Sequence, residues 1–161
     1  PLLIHNRKDV CMVGIPRNKH DKKGAIFLIN TGSPGKTGPL VNIFLDRCKL
    51  DDFMTRVREE MIPLNDACIK SLIKGETRRF FDTLRDLSRF LYDNLEPMIP
   101  EAFRKIWQYG LESHSYYLKL CGSGGGGFLL GFTDDFEKAR TELRNQDIEI
   151  IPVYKSLNDA E

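Results

Sequence analysis

Residues 122–127, with the sequence Gly-Ser-Gly-Gly-Gly-Gly, constrain the fold of this chain more than any other segment. They hold five of its 13 glycines. Apolar segments typical of β-strands adjoin them on both sides, at 115–121 and 128–132. Glycine is costly in backbone entropy, so this density indicates either torsion angles that other residues avoid or a backbone that another group approaches closely. The sequence therefore predicts two strands joined by a glycine loop.

The composition is that of a soluble globular domain. Its 24 Lys and Arg against 23 Asp and Glu leave a formal net charge of +1, and 41% of its residues are hydrophobic. A chain of this length buries roughly 70% of its unfolded surface, so residues 1–161 are expected to form a single domain without disulfide or metal staples. The two signs of charge are interspersed, so no broad field attracts a nucleic acid or an anionic membrane. We expect neither as a partner.

Cysteine and histidine spacing predicts no metal site. The four cysteines are Cys11, Cys48, Cys68 and Cys121. They form no C-x-x-C pair, and the three histidines are widely separated, with no i,i+4 partner and no adjacent cysteine. We expect free, mostly buried thiols in a reducing cytoplasm. No apolar run approaches the ~20 residues of a membrane-spanning helix.

The predicted elements run from strands to helices and back to strands. Besides the two strands at the glycine loop, strands are predicted at 10–15, 25–30 and 148–153. Helical spacing of apolar residues predicts helices over 41–48, 50–61, 62–73 and 80–95, and a shorter one from Pro100 to about Gly110. Asp134 with Glu137 resembles a capping box, which predicts a final helix beginning at Asp134.

The segment 30–37, Asn-Thr-Gly-Ser-Pro-Gly-Lys-Thr, superficially resembles a phosphate-binding P-loop. The P-loop pattern requires glycine where Asn30 stands, and we expect Gly38 and Pro39 to disrupt the helix that should follow. We therefore predict a turn-rich loop over 31–39. Thr37 supplies a hydroxyl to that loop and Lys36 a cation, so it can still line a ligand.

The residues alone leave two interpretations of the glycine loop open. Successive backbone N–H groups without side chains can converge on phosphate oxygens, and Ser123 and Lys119 can add a hydroxyl and a cation. A plain surface hairpin is the alternative. An engineered linker is disfavoured, because a linker joins complete domains and this loop lies between two apolar strands.

The sequence from Lys119 to Phe128 resembles the third motif of the GHMP small-molecule kinases, K-[LT]-[TS]-G-[AS]-G-x-G-G. Residues 26–32, followed by Thr37, resemble the stretch that opens the C-terminal half of mevalonate kinases, the members that this chain resembles most. Residues 100–111 and 134–153 resemble the helix before the motif and the terminal helix and strand. Cys121 stands where the family commonly has Thr or Ser, Ser123 where Ala is common, and Phe128 where a small residue or Cys often follows the motif; the glycines are intact.

This resemblance implies an α+β fold, with a ferredoxin-like antiparallel sheet of about four strands packed by roughly four to six helices. The family's second motif, P-x-x-x-G-L-G-S-S, is absent, as is its N-terminal motif. The chain is therefore expected to be a C-terminal domain that lacks its N-terminal nucleotide-binding domain. No catalytic residue is expected on it, since the family's aspartate lies upstream of the matched region.

The resemblance also implies a function. The intact enzyme would use ATP and Mg²⁺ to phosphorylate a small-molecule hydroxyl, in isoprenoid biosynthesis if it is a mevalonate kinase, and this fragment alone would be inactive. Thr37 and Lys119 would lie on the substrate side. The phosphate loop would consist of Gly122, Ser123, Gly124, Gly125, Gly126 and Gly127. Its partners would be its own N-terminal domain and, through exposed apolar surface, a second copy in a homodimer. The alternative is a stand-alone, non-catalytic ferredoxin-like module that binds a ligand or a protein.

Overall fold

The computed structural model describes residues 2–4, 8–14, 23–35 and 37–155. In chain order, its elements are β1 (Leu2–Ile4), β2 (Val10–Met12), β3 (Ala25–Asn30), α1 (Thr37–Arg47), α2 (Asp51–Arg56), a π-helical turn (Val57–Met61), α3 (Ile62–Lys74), α4 (Thr77–Asn94), a 3₁₀ turn (Glu96–Met98), α5 (Glu101–Ser113), β4 (Tyr117–Leu120), β5 (Phe128–Thr133), α6 (Phe136–Arg144) and β6 (Ile150–Lys155). The fold is α+β, as predicted.

A four-stranded antiparallel sheet organises the fold, in the order β4-β5-β3-β6. Strands β3 and β5 pair along their full lengths, from Ala25 opposite Thr133 to Asn30 opposite Phe128. Strands β1 and β2 form a separate two-stranded hairpin. The predicted antiparallel sheet is therefore confirmed, and its two central strands are 98 residues apart at the Asn30–Phe128 pair.

Alternation along β3 places its largest side chains in the core. Phe27 and Ile29 are completely buried, whereas their neighbours Ile26 and Leu28 are only partly covered. Gly131 stands opposite Phe27, and a Cβ at position 131 would lie 2.2 Å from the Phe27 ring. Glycine in the middle of β5 therefore leaves room for the ring to lie across the neighbouring strand.

A buried hydrogen-bonded chain joins two helices to the sheet edge. The indole nitrogen of Trp107 in α5 donates to Ser88 Oγ in α4 at 2.9 Å, and that hydroxyl donates to the Leu118 carbonyl in β4 at 2.8 Å. All three residues are fully buried. Because buried polar groups are costly unless paired, this chain fixes the packing of α4 and α5 against β4.

The segment from 51 to 74 is one continuous helix in which the π turn separates α2 from α3. Val57 and Ile62, at the two junctions, both keep right-handed helical torsions. Gly75 ends the helix with φ of 71° and donates its amide to the Leu72 carbonyl, as glycine commonly does at a helix C-terminus. With this helix counted once, five long helices pack around the sheet in the described chain.

The start of α1 corrects one prediction. The loop was expected to extend to Pro39, but the helix begins at Thr37, so Gly38 and Pro39 lie within its first turn. Proline is tolerated there because the first N–H groups of a helix have no partner within it. The expectation that Gly38 and Pro39 disrupt a helix is therefore wrong. Asn30 still departs from the P-loop pattern.

Gly110 corrects a second prediction. It was expected to end α5, yet the helix continues to Ser113 and ends at His114, which has φ of 56°. A Cβ at position 110 would lie 2.4 Å from the Tyr116 ring and 2.7 Å from the Tyr116 carbonyl oxygen. This glycine is present for close packing rather than for ending the helix.

Smaller differences concern a cap, two strands and the thiols. The N-cap of α6 is Asp135 rather than Asp134, because Asp135 Oδ1 accepts from the Lys138 amide at 3.1 Å. Strand β6 begins two residues later than predicted. Strand β2 ends at Met12, three residues before the predicted end, and residue 15 lies outside the described chain.

The cysteines are free as expected, but only Cys68 is buried, so the prediction of mostly buried thiols is wrong.

Candidate functional site

The glycine loop lies at the end of the sheet where β3 finishes and β5 begins. Antiparallel pairing brings Asn30 at the end of β3 beside Phe128 at the start of β5. The segments that leave the sheet at this point, 31–35 and 122–127, are therefore neighbours in space although they are far apart in sequence. Asn30 turns the first segment by accepting the Gly32 amide on its side-chain oxygen at 2.9 Å.

Backbone hydrogen bonds join these two segments directly. The Thr31 amide donates to the Gly127 carbonyl at 2.9 Å, and the Gly127 amide donates to the Ser33 carbonyl at 2.7 Å. On the helical side, the Gly125 amide donates to the Met98 carbonyl at 2.6 Å. The glycine loop is thus held from two sides by carbonyl oxygens of the protein.

The torsion angles of the loop explain its composition. Its five glycines all have positive φ, between 58° at Gly122 and 154° at Gly126. Several also lie against other backbone: a Cβ at Gly124 would be 2.5 Å from the Met98 carbonyl oxygen, and a Cβ at Gly126 would be 2.5 Å from the Ser33 carbonyl oxygen. Both reasons inferred from the sequence therefore apply, and the group that approaches the loop is the protein's own backbone.

Half of the loop's N–H groups are already used inside the protein. Those of Gly125 and Gly127 donate as described above, and that of Gly124 donates to the Cys121 carbonyl at 3.2 Å. The N–H groups of Gly122, Ser123 and Gly126 have no acceptor among the described residues. Unpaired N–H groups on a fixed backbone are a common means of binding phosphate, so these three amides are the candidates for that role in the loop.

Ser123 can add a side-chain group to these amides. It is partly exposed, and its hydroxyl has no partner within the described chain. No carboxylate is present in 31–35 or 122–127 that would repel an anion. The unpaired groups described here are therefore hydrogen-bond donors, the kind of group that suits negatively charged oxygens.

Lys119 faces α3 rather than the loop. Its Nζ lies 3.5 Å from the side-chain oxygen of Asn65. Burial lowers the pKa of Lys119, and the neighbouring thiols of Cys68 and Cys121 partly offset this shift. The structure thus gives Lys119 a partner in α3, and its proposed place on the substrate side stays a prediction.

Thr37 is the first residue of α1, and its side chain is outside the part of the molecule that the structure describes. Lys36, the other polar group predicted for this loop, also lies outside it. The substrate-side role of Thr37 therefore stays a prediction. The helix does reach the loop through Leu40, because a Cβ at Gly125 would lie 2.1 Å from Leu40 Cδ1.

A cavity of about 660 Å³ lies at the opposite end of the sheet, beside Tyr117 and Thr133. Arg78, Arg85 and Asp82 are among its lining residues. Arg85 lies 3.8 Å from the Asp82 carboxylate and also pairs with Asp86, so its charge is balanced. This cavity is separate from the glycine loop.

Among the described residues, no three or more His, Cys, Asp or Glu side chains lie close enough together to hold a metal ion. No helix in the same residues is both long and apolar enough to cross a membrane.

The fold is α+β, with a four-stranded antiparallel sheet and a glycine loop between β4 and β5. This is the architecture that the resemblance to GHMP kinases implied for a C-terminal domain. No protein-family model matches the sequence, and no curated protein matches it significantly. The fold, however, matches phosphomevalonate kinase of Streptococcus pneumoniae in complex with phosphomevalonate and AMPPNP. That match has a TM-score of 0.66 at 14% identity and covers 91% of this chain and 41% of that one.

Two further solved structures share the fold. A Lin0012 protein from Listeria innocua has a TM-score of 0.67 at 19% identity, over 89% of this chain and 41% of its own. A second structure of the pneumococcal phosphomevalonate kinase has a TM-score of 0.61 at 14% identity, over 82% of this chain and 39% of its own. The chain thus spans about two fifths of the length of these structures. The predicted GHMP-type fold is confirmed.

The sequence missed three contributors to the site, Ser33, Met98 and Leu40. Ser33 and Met98 act through their carbonyl oxygens, which every residue possesses, so no side-chain pattern could reveal them. Leu40 acts as an apolar support beneath Gly125. Only the pairing of distant segments identifies these residues.

Proposed function

We propose that this chain is the C-terminal half of an ATP-dependent small-molecule kinase and that its glycine loop contacts the phosphates of the nucleotide. The observation that carries the proposal is the set of three unpaired amides, at Gly122, Ser123 and Gly126, on a backbone held in place by the rest of the domain. The shared fold with phosphomevalonate kinase, one structure of which contains AMPPNP, supports the same function.

Phosphoryl transfer suits a loop of this kind. The reaction depends mainly on positioning the reactants and on stabilising the charge of the transferred group. Backbone amides on a fixed loop do both, since they do not have to reorganise when charge develops. The loop has no carboxylate, so the ligands that hold Mg²⁺ against ATP, and the catalytic base, would come from the other half of the enzyme.

For the acceptor, we propose a small-molecule hydroxyl, as in mevalonate kinase. A phosphate group is the second candidate, because the pneumococcal neighbour was solved with phosphomevalonate bound. Either acceptor would place this protein in isoprenoid biosynthesis. We also propose a cytoplasmic location, where free thiols are stable.

The N-terminal kinase domain is the partner that we propose for the surface around α1. Val41, Ile43 and Leu45 on this helix are between 38% and 52% exposed, and Leu50 just beyond it is 60% exposed. The helix adjoins the glycine loop through Leu40, so a domain that completes the active site would also cover these apolar side chains. A homodimer through the same surface is the alternative, and sedimentation of the chain with and without the N-terminal half distinguishes them.

The experiment that tests this function is an ATP-consumption assay of the full protein that carries this chain, with mevalonate and phosphomevalonate as separate acceptors. We expect turnover of one of them, with the product identified by mass spectrometry. A matched protein without residues 1–161 is the control. Absence of phosphorylation with both acceptors, together with binding of a ligand or protein by the chain alone, would favour the non-catalytic module instead.

A further inference from the structure

We propose that Thr31 is a positioning residue and that segment 31–35 fixes the glycine loop in the form that binds phosphate. This inference rests on the proposed function, and it assigns a role to residues 31–35 of the predicted loop 31–39, in which only Lys36 and Thr37 were predicted to contribute side chains to a ligand site. It also specifies which amides of the loop remain for the ligand.

The sheet itself starts this arrangement. The ladder between β3 and β5 ends at Asn30 and Phe128, and the bond from the Thr31 amide to the Gly127 carbonyl extends it by one step. The chain then turns, so that the Ser33 carbonyl returns to accept the Gly127 amide at 2.7 Å. Segment 31–35 therefore contacts Gly127 through both its donor and its acceptor.

The Thr31 hydroxyl lies at the centre of this contact. Its Oγ1 is 3.1 Å from the Ser33 carbonyl oxygen and 3.1 Å from the Gly127 carbonyl oxygen. The single hydroxyl proton can donate to either acceptor. When it donates to the Ser33 carbonyl, Thr31 holds both carbonyl groups at the end of the glycine loop, because its amide already donates to the Gly127 carbonyl.

Close packing makes the two segments move as one unit. A Cβ at Gly35 would lie 2.7 Å from the Gly124 carbonyl oxygen, and a Cβ at Gly126 would lie 2.7 Å from the Gly35 amide nitrogen. Each segment thus presents glycine where the other approaches. A shift of segment 31–35 would therefore displace residues 124–126, and with them one of the three free amides.

The consequence concerns phosphate affinity. The amides of Gly125 and Gly127 are occupied by Met98 and Ser33, so a nucleotide would contact Gly122, Ser123 and Gly126. Loss of the Thr31 hydroxyl would loosen the Ser33 carbonyl and release the Gly127 amide. The loop would then lose its fixed geometry without the loss of any group that touches the ligand.

The test compares Thr31→Val, Thr31→Ser and the wild type in the 161-residue chain, whose described residues share one hydrophobic core. Thr141→Val is the matched control, because that threonine is exposed on α6 and bonds within its own helix. The first readout is hydrogen exchange of the Gly127 amide without ligand. We expect Thr31→Val to accelerate it about threefold to tenfold, the effect of one lost hydrogen bond, and Thr31→Ser to restore it.

The second readout is titration with Mg-AMPPNP, followed by amide shifts of Gly122, Ser123 and Gly126. We expect the wild type and Thr31→Ser to saturate at similar concentrations and Thr31→Val to need about threefold to tenfold more. Unchanged exchange of Gly127 in Thr31→Val would overturn the inference, as would nucleotide binding equal to that of the wild type. If the wild type itself shows no binding, this loop does not bind nucleotide without the N-terminal half, and the assay of the full protein decides the kinase function. The exchange experiment still decides whether Thr31 positions the loop.

If Thr31→Val does not fold, Gly35→Ala in the same assays tests whether segment 31–35 positions the glycine loop. Its methyl group would meet the Gly124 carbonyl oxygen, so we expect altered amide shifts at Gly124 and Gly126 and weaker nucleotide binding. Unaltered shifts at both positions would overturn the inference.

Discussion

The amide nitrogen of Gly125 lies 2.6 Å from the carbonyl oxygen of Met98 and donates a hydrogen bond to it. Met98 belongs to the 3₁₀ turn between α4 and α5, so this bond attaches the glycine loop to the helical layer. Together with segment 31–35, the turn holds the loop from two sides. A glycine-rich sequence, which would be flexible in isolation, is here a rigid part of the domain.

Two glycines of the loop, Gly124 and Gly122, give a matched pair of predictions, because a methyl group would clash at the first and not at the second. Gly124→Ala places a methyl group 2.5 Å from the Met98 carbonyl oxygen, whereas Gly122→Ala meets nothing within 4 Å, and both residues have positive φ. We expect Gly122→Ala to lower the free energy of unfolding by about 1 kcal/mol, from backbone strain alone, and Gly124→Ala by about 2–4 kcal/mol. Urea denaturation measures both, and equal losses would contradict the packing described for Gly124.

For Gly110→Ala, close packing and helix propensity predict opposite changes in stability. Alanine is favoured over glycine inside a helix by about 1 kcal/mol, yet here its Cβ would meet the Tyr116 ring and carbonyl. We expect Gly110→Ala to destabilise the domain by about 1–3 kcal/mol, the usual cost of overpacking. Lys105→Ala, at an exposed position of α5, is the control and should change stability by less than about 0.5 kcal/mol. A Gly110→Ala variant with a raised melting temperature would contradict the close contact.

The cap of α6 distinguishes two neighbouring aspartates. Asp135 accepts the Lys138 amide and lies 3.8 Å from Lys23 Nζ, whereas Asp134 is exposed. We expect Asp135→Ala to cost about 1 kcal/mol of unfolding free energy and Asp134→Ala less than about 0.5 kcal/mol. Thermal unfolding of the two variants side by side is sufficient. A larger loss of unfolding free energy in Asp134→Ala than in Asp135→Ala would show that Asp134 caps the helix, as predicted from the sequence.

Cys68 makes stability depend on pH in the alkaline range. Burial raises the pKa of this thiol from 9.0 to about 11. Below pH 9 the thiol is protonated in both the folded and the unfolded chain, so it adds no pH dependence. Between pH 9 and about 11 the unfolded chain loses the proton first, and stability falls.

The measurement is urea denaturation of the wild type and Cys68→Ala from pH 7 to 11. We expect the stability advantage of the wild type to shrink by about 2 kcal/mol across that range, since each pKa unit corresponds to about 1.4 kcal/mol. Cys11→Ala, at an exposed thiol, is the control and should show a smaller change. A constant difference between wild type and Cys68→Ala would show that the thiol is not buried in solution.

Local patterns predicted the elements well because the physics behind them is local. The apolar run at 25–30, the glycine at 75 and the spacing of apolar residues in α4 each reflect torsions or faces set by a few neighbours. The errors have another origin. Gly110 was expected to end α5, but it lies within the helix. It is glycine because Tyr116, six residues further along the chain, occupies the space beside it.

The candidate site was predictable only in part. The glycine run predicted positive φ and close approach, and the structure has both. Which of its amides are available could not be predicted, because their acceptors, Met98 and Ser33, act through backbone carbonyl groups. The same limit applies to Thr31, whose hydroxyl reaches a residue 96 positions away.

The sequence by itself determined most of the elements, their order and the position of the glycine loop, since backbone entropy and hydrophobic periodicity act over short distances. It did not predict β1, the start of α1 or the end of α5. Only the tertiary structure decided how the loop is held. Antiparallel pairing of β3 with β5 brought segment 31–35 against residues 122–127, and the packing of the turn at Met98 closed the other side. Hydrogen bonds between distant segments depend on the sheet register, and it is these bonds that left Gly122, Ser123 and Gly126 free.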